Sequence, residues 1–138
     1  MSNLGHSLAE VLAAKNTRAE LFNMIFEICP TPIVVTNADG SLVYANRSYL
    51  TILGAIIEEV RGEGWRDFID PASRERIFGR WAEAIMGRDP DYGQLIDFQR
   101  KDGRRFSLHF TVRKFNGNFI GFGTCGLEGS CPMVDAMS

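Results

Sequence analysis

Residues 96–124 read Ile96-Asp97-Phe98-Gln99-Arg100-Lys101-Asp102-Gly103-Arg104-Arg105-Phe106-Ser107-Leu108-His109-Phe110-Thr111-Val112-Arg113-Lys114-Phe115-Asn116-Gly117-Asn118-Phe119-Ile120-Gly121-Phe122-Gly123-Thr124. Two turn signatures, Lys101-Asp102-Gly103 and Phe115-Asn116-Gly117, divide this stretch into three runs of strand-forming residues. Asp-Gly or Asn-Gly between such runs is the strongest short-range hairpin signal. A three-residue loop at the first of these turns pairs Phe98 with Phe106 and Ile96 with Leu108. The same loop at the second pairs Val112 with Ile120, Phe110 with Phe122 and Leu108 with Thr124. A two-residue loop would set Phe106 against Gln99 and Val112 against Gly121, mixing the two faces. Three-residue loops are therefore expected at both turns. They define an inner face of Ile96, Phe98, Phe106, Leu108, Phe110, Val112, Ile120, Phe122 and Thr124, with Asp97, Ser107, His109 and Thr111 opposite.

A third turn, Ala38-Asp39-Gly40, comes much earlier, between residues 33–37 and 41–45. With Gly40 in the left-handed conformation that glycine tolerates, Val35 pairs with Val43, Thr36 with Leu42 and Val34 with Tyr44. Between this hairpin and the later pair lie helices. Asn46 can cap a short one through Tyr49 to Leu53, ended by Gly54, and a further turn covers Ile56 to Val60. Asp70-Pro71 supplies an N-cap and a first-turn proline for a helix running to about Met86. That helix puts Ile77, Phe78, Trp81, Ala82 and Ile85 on one face and turns Arg76, Arg80 and Glu83 to water, with Gly87 closing it. Residues 1–29 read as helix, either two helices or one broken near Lys15-Asn16. Capping-box pairs stand at Ser7…Glu10 and Thr17…Glu20, and Pro30 and Pro32 end the segment. The order is two strands, helices, then three strands.

The chain has 138 residues, 45% hydrophobic and 23% charged, with a formal net charge of −2. That is one soluble domain with a terminal extension. The charge argues against a nucleic-acid partner, because phosphate neutralisation needs a concentrated basic face. No stretch approaches a membrane span and no secretory leader is visible, so the expected compartment is cytoplasmic. Cys29, Cys125 and Cys131 fit neither a metal pattern nor a disulfide framework. Cys29 and Cys125 are expected as small apolar packers.

The run from Pro32 through Asn37-Ala38-Asp39-Gly40 to Asn46-Arg47-Ser48-Tyr49 closely resembles the opening of a PAS domain. There a first hairpin closes through glycine and enters a helix through asparagine. Trp65-Arg66-Asp67-Phe68-Ile69-Asp70-Pro71 and Phe98-Gln99-Arg100-Lys101-Asp102-Gly103-Arg104 match the family's connector helix and second hairpin. The resemblance covers about residues 20–127. It implies an α+β PAS fold: a five-stranded antiparallel sheet of order 2-1-5-4-3 with helices on one face and an N-terminal flanking helix. The corresponding division is a helical extension at 1–29, the PAS domain at 30–128 and a flexible tail at 129–138. The last strand ends Thr124-Cys125-Gly126-Leu127-Glu128, departing from the family's usual Asp-Ile-Thr-like exit. With no effector in sight, the chain reads as a fragment or a stand-alone module.

The resemblance implies a bacterial sensory module that regulates a histidine kinase, diguanylate cyclase or transcription regulator, as a partner or a missing domain. Homodimerisation is expected through Leu8, Val11, Leu12, Leu21, Phe22 and Ile25, together with the outer sheet face. A small apolar ligand can be lined by Val35, Tyr49, Trp65, Phe78, Trp81, Phe98, Leu108, Phe110, Phe122 and Thr124. Asp39, Gly40, Asn46, Asp102 and Gly103 are structural. The alternative is a haem- or flavin-containing sensor. Against covalent flavin or coumarate stands the lack of any cysteine between Cys29 and Cys125. Against haem stands His109, which the register turns away from the cavity. A small α+β enzyme is the third reading. Here the inner face offers almost no titratable groups, so no catalytic residue and no metal site are assigned.

Overall fold

The computed structural model describes residues 15–87 and 92–125. Its elements are α1 (Lys15–Ile28), β1 (Ile33–Thr36), β2 (Leu42–Ala45), α2 (Arg47–Leu53), α3 (Ile57–Val60), α4 (Arg74–Ile85), β3 (Gly93–Gln99), β4 (Arg105–Phe115) and β5 (Asn118–Cys125). Single 3₁₀ turns at Gly64–Phe68 and Pro71–Ser73 lead into α4. The strands form one antiparallel sheet in the order β2-β1-β5-β4-β3, the order and architecture that the resemblance implies. Leu8, Val11, Leu12 and the segment after Cys125 lie outside the described residues.

The three turns do not share one loop length. At 38–40, Asn37 and Ser41 close a three-residue loop, the Asn37 N–H donating to the Ser41 carbonyl at 2.8 Å. At 101–103 the Arg100 N–H reaches the Arg104 carbonyl at 2.8 Å, and Phe98 pairs with Phe106 and Ile96 with Leu108, as expected. The last turn is different. Phe115 pairs with Asn118, leaving only Asn116 and Gly117 in the loop, at φ 48° and 80°. Positive φ at both central residues is the two-residue type I′ turn, whose twist matches that of the flanking strands.

This shorter loop slides β5 by one residue relative to the sequence expectation. Val112 faces Gly121, Thr111 faces Phe122 and His109 faces Thr124. Phe119, Gly121 and Gly123 are therefore the buried residues of β5, while Phe122 and Thr124 are exposed and Ile120 is half-buried. The physical reason is room for Phe110. A Cβ at Gly123 would stand 2.9 Å from Phe110 Cζ, and one at Gly121 would stand 3.3 Å from Phe110 Cδ1. The two glycines are the floor on which that ring lies.

The first hairpin carries a smaller correction. Thr36 pairs with Leu42 as expected, but Val35 pairs with Tyr44 and Val34 with Ala45, leaving Val43 as the extra residue of a bulge. The bulge lets Leu42 and Ala45 both point inward although they are three apart.

The core forms between this inner face and the helices. Leu53, Val60, Ile69, Ile77 and Leu108 are its most deeply buried apolar residues. Helix α4 contributes Ile77, Trp81 and Ala84 at the four-then-three spacing of a single stripe. Its opposite face is not simply solvated. Arg76 donates to the Leu95 carbonyl and to Asp97, and Arg80 to the Gly93 carbonyl, at 3.0–3.1 Å. The Asp70 N–H reaches the Asp97 carbonyl at 2.8 Å. Three outward carbonyls of edge strand β3 are thus occupied, which blunts an edge that could otherwise pair with another chain. At the far end of β3, Arg100 donates to the Thr51 and Ile52 carbonyls at the end of α2, and Lys101 pairs with Glu59.

Candidate functional site

The site worth building is the space between α4 and the inner sheet face. It is lined by Val34 and Thr36 of β1, Tyr49 of α2, Trp65, Ile69, Ile77 and Trp81 from the helical side, and Tyr92, Ile96, Phe98, Phe110 and Val112 from the far strands. The cavity measures about 60 Å³. Ligand pockets usually run to roughly 300–1,000 Å³, so its own side chains fill most of the space a cofactor would need.

Those side chains form two groups that meet at the cavity. Tyr49 stands edge-on to Phe98 and Phe110, both at 6.2 Å between centroids. Trp81 packs on Tyr92 at 5.5 Å and Phe119 at 5.2 Å. Trp65 bridges the two groups. It lies edge-on to Phe78, and the Arg66 guanidinium covers the outside of both rings, 4.8 Å from Phe78 and 5.5 Å from Trp65.

Polar atoms in the lining are few. Burial pushes the Tyr49 phenol well above its ordinary range, so it stays neutral. The Thr36 hydroxyl donates to the Asn37 carbonyl at 3.0 Å. Trp65 and Trp81 each bury an indole Nε1–H that finds no acceptor. Trp81 is 8% exposed, and its Nε1 lies against the first turn, 2.7 Å from where a Cβ on Gly40 would stand. Just beyond the lining, Gln94 Nε2 donates to the Ile77 carbonyl at 3.1 Å and to the Tyr92 hydroxyl, while its Oε1 is buried without a donor.

Of the residues expected to line a ligand site, Tyr49, Trp65, Trp81, Phe98 and Phe110 do line the cavity. Leu108 is buried in the adjoining core and Phe78 packs behind Trp65. Val35, Phe122 and Thr124 do not belong there. The β5 slip turns Phe122 and Thr124 outward, and in the bulged hairpin it is Val34 and Thr36 that face in. Ile69, Ile77, Tyr92, Ile96 and Val112 complete the wall. Ile96 and Val112 were legible from the alternation of β3 and β4, and Tyr92 extends that alternation two residues beyond Gln94.

Asn46 is the structural centre of the N-terminal side and is fully buried. Its Oδ1 accepts from the Tyr49 N–H at 3.2 Å, capping α2, and from the Ile33 N–H at 3.0 Å, opening β1. Its Nδ2 donates to the Thr31 carbonyl at 2.9 Å and to the Cys29 carbonyl at 3.4 Å, where α1 ends. Asp39 and Asp102 accept from the Ser41 and Arg104 N–H groups, and these bonds hold both carboxyls below their ordinary range.

A covalently attached flavin and an axially ligated haem do not fit this lining, which presents neither cysteine nor histidine to the cavity. His109 is exposed on the outer face. Among the described residues no cluster of His, Cys, Asp or Glu could hold a metal ion, and no helix is long and apolar enough to cross a membrane. Cys29 is a half-buried free thiol. Cys125 packs against the core but is also disulfide-bonded. It is more than the small packer the sequence suggests, and a disulfide stands where the cysteine spacing pointed to none.

Of the expected interface residues, Leu21 is half-buried, while Phe22 is 56% and Ile25 55% exposed, beside Ile28 and Met24. Phe26 turns inward and stacks on Phe22 at 5.7 Å. On the outer sheet face, Tyr44, Leu95 and Phe122 are exposed.

A search of curated proteins finds no match. Solved structures match well. The PAS domain of an HTR-like protein from Haloarcula marismortui superposes with a TM-score of 0.65 at 22% identity, covering 79% of this chain and 92% of that one. A domain of a sensory box sensor histidine kinase/response regulator from Geobacter sulfurreducens gives 0.64 at 14% identity, covering 81% and 97%. The LOV protein of Rhodobacter sphaeroides gives 0.66 at 15% identity, covering 81% and 70%. The family model for the PAS domain matches residues 30–126. With the sheet order and the asparagine-capped entry to α2 already in place, this match places the chain in the PAS domain family.

Proposed function

We propose that this chain is a non-catalytic signal-transduction module that forms a homodimer through α1 and the outer sheet face and regulates an effector. The effector is a histidine kinase, diguanylate cyclase or transcription regulator, either a partner or a linked domain. The inner cavity takes a small, largely apolar ligand as the signal. The observation that carries this reading is the exposed apolar surface. Phe22, Met24, Ile25 and Ile28 on α1, with Tyr44, Leu95 and Phe122 on the sheet, stand open to solvent. Exposed apolar residues gathered on a helix and on one face of a sheet are what an interaction surface would need. The ionisable groups of the cavity lining are two tyrosines, Tyr49 and Tyr92, which supports a sensing role over a catalytic one.

The test is light scattering coupled to gel filtration on the full chain, a form lacking residues 1–20, and the Phe22→Glu/Ile25→Glu variant. The full chain should run as a dimer and the charged variant as a folded monomer. A monomeric full chain at about 100 μM would overturn the dimer reading, since a specific interface of about 800 Å² per partner is populated at that concentration.

A further inference from the structure

Resting on the reading that the outer sheet face closes on a second copy, we infer that this self-association senses protons through His109. The strand registers lay that face out in rows. His109 pairs with Leu95 on one side and with Thr124 on the other. The next row carries Phe122 and Ile33, and the row after it Ile120, Val35 and Tyr44. At the spacings of a sheet these three rows cover roughly 350 Å², close to half of the about 800 Å² per partner that a standard interface buries. The exposed stripe of α1 provides for the rest. Within the rows His109 is the residue type whose charge changes between about pH 5 and 8.

The imidazole is exposed and lies over Gly93, where a Cβ would stand 3.4 Å from its Cε1 and 3.8 Å from its Nε2. The missing side chain gives the ring a shelf within the face. Charged groups approach it from three elements. On β3, Asp97 stands two positions beyond Leu95, but its carboxylate is taken by Ser73, Ser107 and Arg76. From α4, Arg76 and Arg80 reach the Leu95 and Gly93 carbonyls. On β4 itself, Arg113 lies four residues along the strand, while β5 presents Thr124 and Phe122. The unengaged charge around the ring is therefore cationic, and a second copy laid on it presents the same face. An imidazolium sealed there would meet neither water nor a free carboxylate, whereas a neutral imidazole is sealed at little cost. An isologous dimer encloses two such rings, and both must shed a proton for the copies to associate.

The test is sedimentation equilibrium of the full chain at about pH 7.5 and about pH 5.5, on either side of the usual histidine range. The dimer should be at least about tenfold weaker at the lower pH, because dissociation takes up protons there. His109→Gln keeps a donor and an acceptor without the charge, so it should dimerise equally at both. That variant retains His6, the other histidine of the chain, and so assigns the effect to one residue. In the unaltered chain, one imidazole signal in the NMR spectrum should titrate at lower pH in concentrated, dimeric samples than in dilute ones. This second measurement decides the matter if the variant misfolds. A dimer of equal strength at both pH values, or a His109→Gln variant that keeps the pH dependence, overturns the assignment and leaves the dimer reading standing. A full chain that is monomeric at the higher pH overturns the dimer reading, and this inference with it.

Discussion

Asn46→Ala should be among the most damaging single changes available in this domain. The side chain makes four hydrogen bonds from a position with no solvent exposure, and its loss strands two N–H groups and two carbonyls at once. Losing the cap on α2 costs about 1 kcal/mol. Leaving the Ile33 N–H and the Thr31 carbonyl without partners adds about 1–2 kcal/mol each, the 3.4 Å contact to Cys29 counting for little. The sum is about 3–5 kcal/mol, a large part of the roughly 5–15 kcal/mol that holds a domain of this size together. In urea, with a slope of about 2 kcal/mol/M, the midpoint should fall by about 2 M with the slope unchanged. Asn46→Asp adds a sharper signature. The carboxylate keeps both accepted bonds but faces the Thr31 and Cys29 carbonyls, so its folded-state pKa lies above its unfolded value. Its stability should therefore rise as pH falls from about 7 towards about 4.5 and decline as pH rises through the folded value. A midpoint shift below about 0.3 M for the alanine variant, or no acid recovery for the aspartate variant, would refute the role given to this residue.

Gly40→Ala should cost about 3 kcal/mol by thermal or urea unfolding, combining the strain of φ 90° with contacts of 2.7 Å to Trp81 and Ile85. Gly103→Ala has nearly the same φ but open space around it, so it should cost only about 1–2 kcal/mol. Equal losses would show that Trp81 does not press on the first turn. Burial opposes ionisation of Asp97, but hydrogen bonds from Ser107 and Ser73 and the Arg76 charge outweigh it and hold the carboxyl below its ordinary range. That contribution is complete above about pH 4 and is lost as pH falls through the folded-state value, so Asp97→Asn should flatten stability between about pH 4 and 2. Arg76→Ala/Arg80→Ala should lower stability by about 1–2 kcal/mol and, by freeing the β3 edge, make light scattering depend on concentration. An unchanged scattering profile would deny the arginines that protective role.

The fold was legible because its signals are local. Asp-Gly and Asn-Gly mark the turns, Asn46 marks the start of α2 through its bond to the Tyr49 N–H, and Asp70 accepts from the Ala72 N–H as an N-cap must. Helical period places Ile77 and Trp81 in the buried stripe, but the face turns slightly from the expected one, so Ala84 is buried and Ala82 is exposed. The register of β5 was not legible by the rule applied to it, which sought the largest apolar residues for the inner face. Glycine reads as a weak strand residue, yet Gly121 and Gly123 are the ones that face in, because a neighbouring aromatic needs the space above them. A competing local signal was present. Asn116-Gly117 is the preferred pair for a two-residue turn, and following turn chemistry over side-chain size gives the observed pairing. The partners of Arg76 and Arg80 were hidden for another reason: helical period shows that they face away from the core but not that an edge strand runs beneath them.

The one-residue slip in β5 bears on function at both faces of the sheet. It withdraws Phe122 and Thr124 from the cavity, and the small residues put in their place give the space to Phe110 instead of leaving it open. The cavity is therefore tighter than a wall of larger polar or branched groups would suggest, and β5 contributes none of its lining residues. On the outer face the same slip adds Phe122, 40% exposed, beside Ile33 in the pairing of β1 with β5. Val35 stands opposite Ile120 in the next pair but one, with Tyr44 across from Val35. Ile33, Val35, Tyr44, Ile120 and Phe122 thus stand together on adjacent strands, a patch that the expected register would have split between the two sides. What the sheet loses as a ligand wall it gains as an apolar surface, and the case for self-association rests on that exchange.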